Sequence, residues 1–180
     1  MWMLEELGLP YEHVPALPRS EQAFAHNPLG KIPALVCEDG AVLTDSDAIM
    51  AFLGDRHGAL TAPAGSVARA RQDAMTMWLI DDMDALLWTA AKHSFVLPEE
   101  ERLPQIKDGL KREFERSASV LSERLGAGFL MGDEISVPDI LAVHCLNWAV
   151  AARFPRLDGK LSDYADRLRA RPAFRRAAER

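Results

Sequence analysis

The stretch Asn27–Ile49, "NPLGKIPALVCEDGAVLTDSDAI", holds a turn, a proline ahead of an apolar run, an acidic turn and a helix start in one short window. Pro33 opens the apolar run. A proline cannot donate to a sheet ladder, so it belongs at a strand start or an edge. A cis Ile32–Pro33 bond would cost little and turn the chain sharply. Ile32 would then present its main-chain N–H and C=O outward, where an extended, peptide-like ligand can pair as an added strand. A plain turn proline accounts for the same residues. Further along, Ser46 stands at a helix start, where free backbone N–H groups gather and favour a carboxylate. Asp45 beside it suits an ammonium. A corner that accepts both charges fits an α-amino-acid head group, and a simple N-cap with an acidic neighbour is the plainer alternative.

Outward from this window the chain changes character. On the N-terminal side, Met1–Leu7 reads as the end of a helix with Trp2, Met3, Leu4 and Leu7 on one face and Gly8 as its stop. It has no cap and no polar first turn, as though the helix were entered midway. Tyr11–Ala16, "YEHVPA", reads as a short strand, and Ser20 caps a short helix through Phe24. "IPALVCED" and "AVLTD" read as two strands joined at Asp39–Gly40. Ser46 is expected to cap a helix from Asp47 to about Leu53, stopped by Gly54.

"GDRHGALTAPAGS", Gly54–Ser66, is the best linker candidate. Beyond it the pattern is helical. Val67 to Leu97 is one long periodic segment, and Glu99 to Leu125 is a second with Pro104 near its start. "ISVPDILAVHCLNWAVAARF", Ile135–Phe154, is almost wholly apolar and belongs at the centre of a bundle. Two short amphipathic helices follow, broken before Pro172. The expected organisation is α+β and then all-α: a unit over residues 1–57, a linker over 58–66 and a helical domain over 67–180.

Composition narrows the functional classes. Apolar residues make up 48% and charged residues 27% of 180 residues, an ordinary soluble globular balance. A chain of this length buries roughly 70% of its unfolded surface. The net charge of −6 disfavours a nucleic-acid or acidic-membrane binder. The arginines between Arg167 and Arg180 read as a solvated face or as favourable charges near helix ends. No apolar run approaches the roughly 20 residues of a membrane span. Cys37 and Cys145 are far apart and read as buried, reduced thiols, which favours a cytoplasmic location. His13, His26, His57, His93 and His144 have no metal-ligand spacing, and His144 reads as a core histidine. Neither a GxSxG elbow nor a P-loop is present.

Taken in order, three segments resemble the glutathione transferase family. "NPLGKIPAL" is followed about a dozen residues later by Asp45–Ser46, "WMLEELGLPYE" is similar to the family's first helix and second strand, and "GDEISVPDILAVH", Gly132–His144, resembles its Gly-x-x-x-Ser/Thr-x-Ala-Asp-Ile box. In that box Ser136 and Asp139 form a helix-capping box, with Pro138 where the family usually has alanine; proline is tolerated in a first turn. The resemblance spans Met1 to about Phe174. It implies a thioredoxin-like domain, here lacking its first strand and the start of its first helix, followed by an all-helical domain.

The resemblance also implies a ligand. Glutathione would pair its cysteinyl backbone with the Ile32 main chain beside a cis Pro33. Asp45 and Ser46 would hold the γ-glutamyl head, and Lys31 would meet the glycyl carboxylate. Asp81 or Asp82 would reach a neighbouring subunit's glutathione, or else form a charged patch or salt bridge. A homodimer is implied, with Arg69, Arg71 and the helix from Val67 near the contact. Trp78, Trp88 and Phe95 serve either an electrophile pocket or the core. The family activates the glutathione thiol with an N-terminal Tyr, Ser or Cys, and lowering that thiol's pKa is central to its chemistry. That residue is absent here and Tyr11 lies on the wrong element, so no catalytic residue is assigned. No metal is expected. Two functions compete: transfer of glutathione to a small hydrophobic electrophile, and a non-catalytic glutathione-binding or protein-interaction module of the same fold. The missing strand would leave Tyr11–Ala16 and the Ala34 strand facing a gap, filled by upstream residues, by an inward shift of the early strand or by another chain.

Overall fold

A computed structural model describes residues 1–155, 157 and 159–180. The N-terminal part contains α1 (Trp2–Glu6), α2 (Glu21–His26), β1 (Ala34–Val36), β2 (Val42–Thr44) and α3 (Ser46–His57). The remainder is helical: α4 (Val67–Leu79), α5 (Ala85–Ala91), α6 (Lys107–Arg124), α7 (Val137–Ala151), α8 (Gly159–Arg169) and α9 (Pro172–Ala178). The architecture is a small α+β unit followed by an all-helical one.

β1 and β2 form an antiparallel hairpin with Leu35 opposite Leu43. Asp39 makes the turn by accepting the Ala41 N–H at 3.0 Å. The strand expected over Tyr11–Ala16 is not formed. A strand exists only by pairing, and among the described residues the sheet has two members, β1 and β2. Val14 is 63% exposed and Leu17 is 77% exposed in consequence.

Two helix boundaries also differ from expectation. α3 starts at Ser46, is capped by Asp45, and runs through Gly54 to a left-handed cap at Gly58. Gly54 is needed for space rather than as a stop: a Cβ there would come within 2.9 Å of Thr61 Cγ2. The second long helix begins at Lys107 rather than Glu99. Leu103, which precedes Pro104, is held out of the helical region at φ −116° and ψ 78°. Val67 to Val96 does form one rod, but two π-helical turns, Ile80–Asp84 and Lys92–Val96, interrupt its α-helical pitch.

One hydrophobic core joins the two parts. Met3, Ile49, Met50 and Leu53 from the N-terminal unit cluster with Leu79, Met83, Phe114, Leu121, Val143 and Leu146. The connecting segment is tied down at several points. Buried Gln72 accepts the Ala62 N–H at 2.8 Å and donates to Thr61 Oγ1 at 2.8 Å. Val137 N–H donates to Leu60 O. Arg69 bridges Asp55 of α3 and Asp73 of α4. α1 is fastened to the end of the chain. Arg171 makes a paired ion bond with Glu6 at 2.6 and 2.7 Å, Arg176 bonds Glu5, and Trp2 meets Phe174 edge to face at 5.0 Å. These arginines are therefore a clasp rather than a merely solvated face.

Candidate functional site

The loop between α2 and β1 is shaped from inside by Asn27. Its side chain is 5% exposed, its Nδ2 donates to Lys31 O at 3.1 Å, and its Oδ1 accepts the Leu29 N–H at 3.0 Å. This is the local turn that a short amide side chain forms with its own backbone. The Ile32–Pro33 bond that follows is cis, and Ile32 is 47% exposed. β1 and β2 then bring the chain back to Asp45.

Asp45 holds φ 72° and ψ 124°, a left-handed conformation that costs a non-glycine residue on the order of 1–3 kcal/mol. Its carboxylate accepts the Asp47 N–H at 3.1 Å, so Asp45 and not Ser46 is the cap. Ser46 is the first residue of α3, at the positive end of the helix dipole. The two loops enclose a cleft of about 180 Å³ lined by Asn27, Leu29, Lys31, Ile32, Pro33, Thr44, Asp45 and Ser46. All five residues singled out from the sequence lie on it. It offers an ammonium at Lys31, a carboxylate at Asp45, a hydroxyl at Ser46 and a helix start, so it can accept a ligand carrying both charges. No tyrosine or cysteine lines it.

Behind this cleft, carboxylates collect at the junction with the helical unit. Burial, with the charges of Asp45 and Asp84 beside it, pushes the Asp47 carboxyl up to about 6. Its Oδ1 is buried and has no hydrogen-bond partner among the described residues. Asp84, in the first π-turn, is also raised, by burial first and then by Asp45, against the opposing effect of His144. His144 Nε2 lies 4.0 Å from Asp84 Oδ2 with its side chain 60% exposed. It is thus a surface residue at the junction and not a core histidine, because the helical phase of α7 turns it away from buried Val143 and Cys145. Cys145 is buried and its thiol pushed up by burial, whereas Cys37 is only half-buried, at the solvent end of the short hairpin.

The remaining candidates are dispersed. Asp81 and Asp82 are exposed on the π-turn. Trp78 lies under the Arg124 guanidinium at 4.4 Å, Trp88 is 37% exposed and Phe95 is 70% exposed. Arg69 is committed within the chain. The Tyr11 hydroxyl donates to Glu5 at 3.0 Å, away from the cleft. The capping box is formed as expected, with Asp139 fully buried. Sequence reasoning missed the roles of Asn27 and Asp47. The Asn–Pro–x–Gly order carried a signal for the first, and nothing local announced the second. Among the described residues no cluster of His, Cys, Asp or Glu is arranged to hold a metal, and no helix is long and apolar enough to cross a membrane.

Residues 1–56 match the model of the glutathione S-transferase N-terminal domain, and residues 85–172 match that of the C-terminal domain. The two halves of one family thus cover most of the chain, and the chain belongs to the glutathione S-transferase family. It is similar to the glutathione S-transferase GstA of Escherichia coli O157:H7, 26% identical over 161 residues, 87% of this chain and 76% of that protein. It is also similar to elongation factor 1-gamma of Carassius auratus, 30% identical over 131 residues, 72% of this chain but 28% of that protein. A sphingomonad glutathione S-transferase solved with glutathione shares the fold with a TM-score of 0.83 at 24% identity, over 99% of this chain and 90% of that one.

Proposed function

We propose that the protein binds glutathione in this cleft and transfers its thiolate to a small, apolar electrophile, as a homodimer in the cytoplasm. In this reading the Ile32 main chain pairs with the cysteinyl backbone, Asp45 and Ser46 hold the γ-glutamyl head, and Lys31 meets the glycyl carboxylate. The observation that carries the reading is the meeting of Lys31, Ile32, Pro33, Asp45 and Ser46 on one cleft with complementary charges. Family membership and the glutathione bound in the sphingomonad relative support it. Calorimetry with glutathione tests it. Asp45→Asn keeps an oxygen to cap the Asp47 N–H while removing the charge. Loss of a charge-assisted bond is worth about 1.5–3 kcal/mol, so binding should weaken roughly ten- to a hundredfold. An Asp45→Asn protein that binds as tightly as the wild type removes Asp45 from the ligand.

A second reading has its own observation: the cleft lining carries neither phenol nor thiol, and its hydroxyls, Thr44 and Ser46, stand beside Asp45 at the head-group corner. On that reading the chain is a non-catalytic glutathione-binding or protein-interaction module of the same fold. Conjugation of a chromogenic aryl chloride well above the solution rate excludes it. Binding without turnover favours it.

A further inference from the structure

Asp47 is one residue beyond the cleft, yet its environment is unlike that of Asp45 or Ser46. Asp45 bonds the Asp47 backbone N–H, while the Asp47 side chain points into the junction with Oδ1 buried and undonated among the described residues. The ionisable groups around it come from the cleft corner, the first π-turn and α7. β1 and β2 contribute no ionisable side chain. The π-turn contributes Asp84, with Asp81 and Asp82 out in solvent. α7 contributes Cys145 and His144, its Asp139 being committed to the capping box. His144 lies against Asp84. The charges acting on Asp47 are thus both carboxylates, Asp45 on the cleft side and Asp84 on the helical side.

We propose that ligand binding at Asp45–Ser46 is proton-linked through Asp47: a bound ammonium group neutralises the Asp45 corner, the Asp47 carboxyl ionises, and its proton leaves to solvent. This rests on the glutathione reading of the cleft. The physical basis is mutual: a ligand that binds the ionised form better lowers that group's pKa, and the ionised group binds the ligand better. With Asp47 titrating near 6 in the free protein, binding at that pH releases a fraction of a proton, and affinity rises several-fold from acid to neutral pH.

The test titrates the full chain at pH 6 with S-methylglutathione, whose blocked sulfur has no proton to lose. Two buffers of different ionisation enthalpy are used. The expected result is a binding heat that differs between buffers for the wild type and is the same in both for Asp47→Asn. Equal heats in the wild type overturn the proposal, as does a buffer difference that persists in Asp47→Asn. If no ligand binds at all, the glutathione reading falls and takes this proposal with it; binding without proton release sinks this proposal alone. The ligand-free protein gives a second readout. A raised folded-state pKa means the protonated form is the one the fold favours, so this contribution is present in acid and lost as pH rises from about 3.8 through about 6. Asp47→Asn should therefore melt several degrees above wild type at neutral pH, with the gap closing in acid. A gap independent of pH overturns the premise.

Discussion

Asn27 and Asp139 do the same job in different surroundings. Each is a buried polar side chain that holds a turn from within. Asp139 is fully buried and accepts four bonds: from Leu130 N–H, Ser136 N–H, the Ser136 hydroxyl and the Tyr164 hydroxyl, the last at 2.7 Å. Burial, with Asp139 beside it, raises the Tyr164 phenol, so it remains a donor. Around Asp139 nearly every residue from Ile135 to Val143 is buried. Asn27 is uncharged, serves two side-chain bonds, and sits below a loop whose Leu29 is 70% exposed. The helical unit is shaped by removing apolar surface from water, and the cleft by backbone geometry with little surface buried. A ligand site can be built the second way because its residues must stay reachable.

This contrast can be broken by substitution. Asp139→Ala strands two buried backbone N–H groups and a phenol, and should cost about 3–5 kcal/mol in urea unfolding. Asn27→Ala leaves Lys31 O and Leu29 N–H without their partner at a half-open loop, and should cost about 1–2 kcal/mol. Its effect on glutathione affinity should be larger than its effect on Tm suggests, because Lys31 and Ile32 lose their position. Equal costs for the two variants, or an Asn27→Ala protein with unchanged affinity, would dissolve the distinction. Arg171→Gln tests a third setting, a half-buried ion pair between two distant helices. Burial opposes ionisation of Glu6, but the Arg171 and Trp2 bonds outweigh it and hold the carboxyl below its usual 4.5. The pair's contribution is present at neutral pH and lost as pH falls below that value, so the variant should lose about 1 kcal/mol at pH 7 and match wild type in strong acid.

The contrast also explains what the sequence disclosed. Pro33, the Asp39–Gly40 turn and Asp45–Ser46 are legible because each encodes a local backbone need, and these needs define the cleft. Ser136 and Asp139 are legible for the same reason. Tyr11–Ala16 has the residue types of a strand, but strand formation depends on a partner elsewhere in space. Gly54 carries a stop signal, yet its meaning is the approach of Thr61 from the next segment. The Asp47 environment draws on Asp45, Asp84 and the middle of α7, three places in the chain, so no window of sequence contains it. The exposure of His144 is not legible in sequence because an almost wholly apolar helix hides which single turn reaches the surface.

The clasp between α1 and α9 has a consequence for synthesis. Glu6 and Arg171 are 165 residues apart, nearly a whole chain length, and Trp2 and Phe174 lie still farther apart in sequence. During translation α1 therefore waits, without its ion pairs or its aromatic partner, until the ribosome has released α9. The cleft-bearing unit is made early but is secured late, and throughout that interval its apolar face at Trp2, Met3 and Leu4 must be kept from other chains.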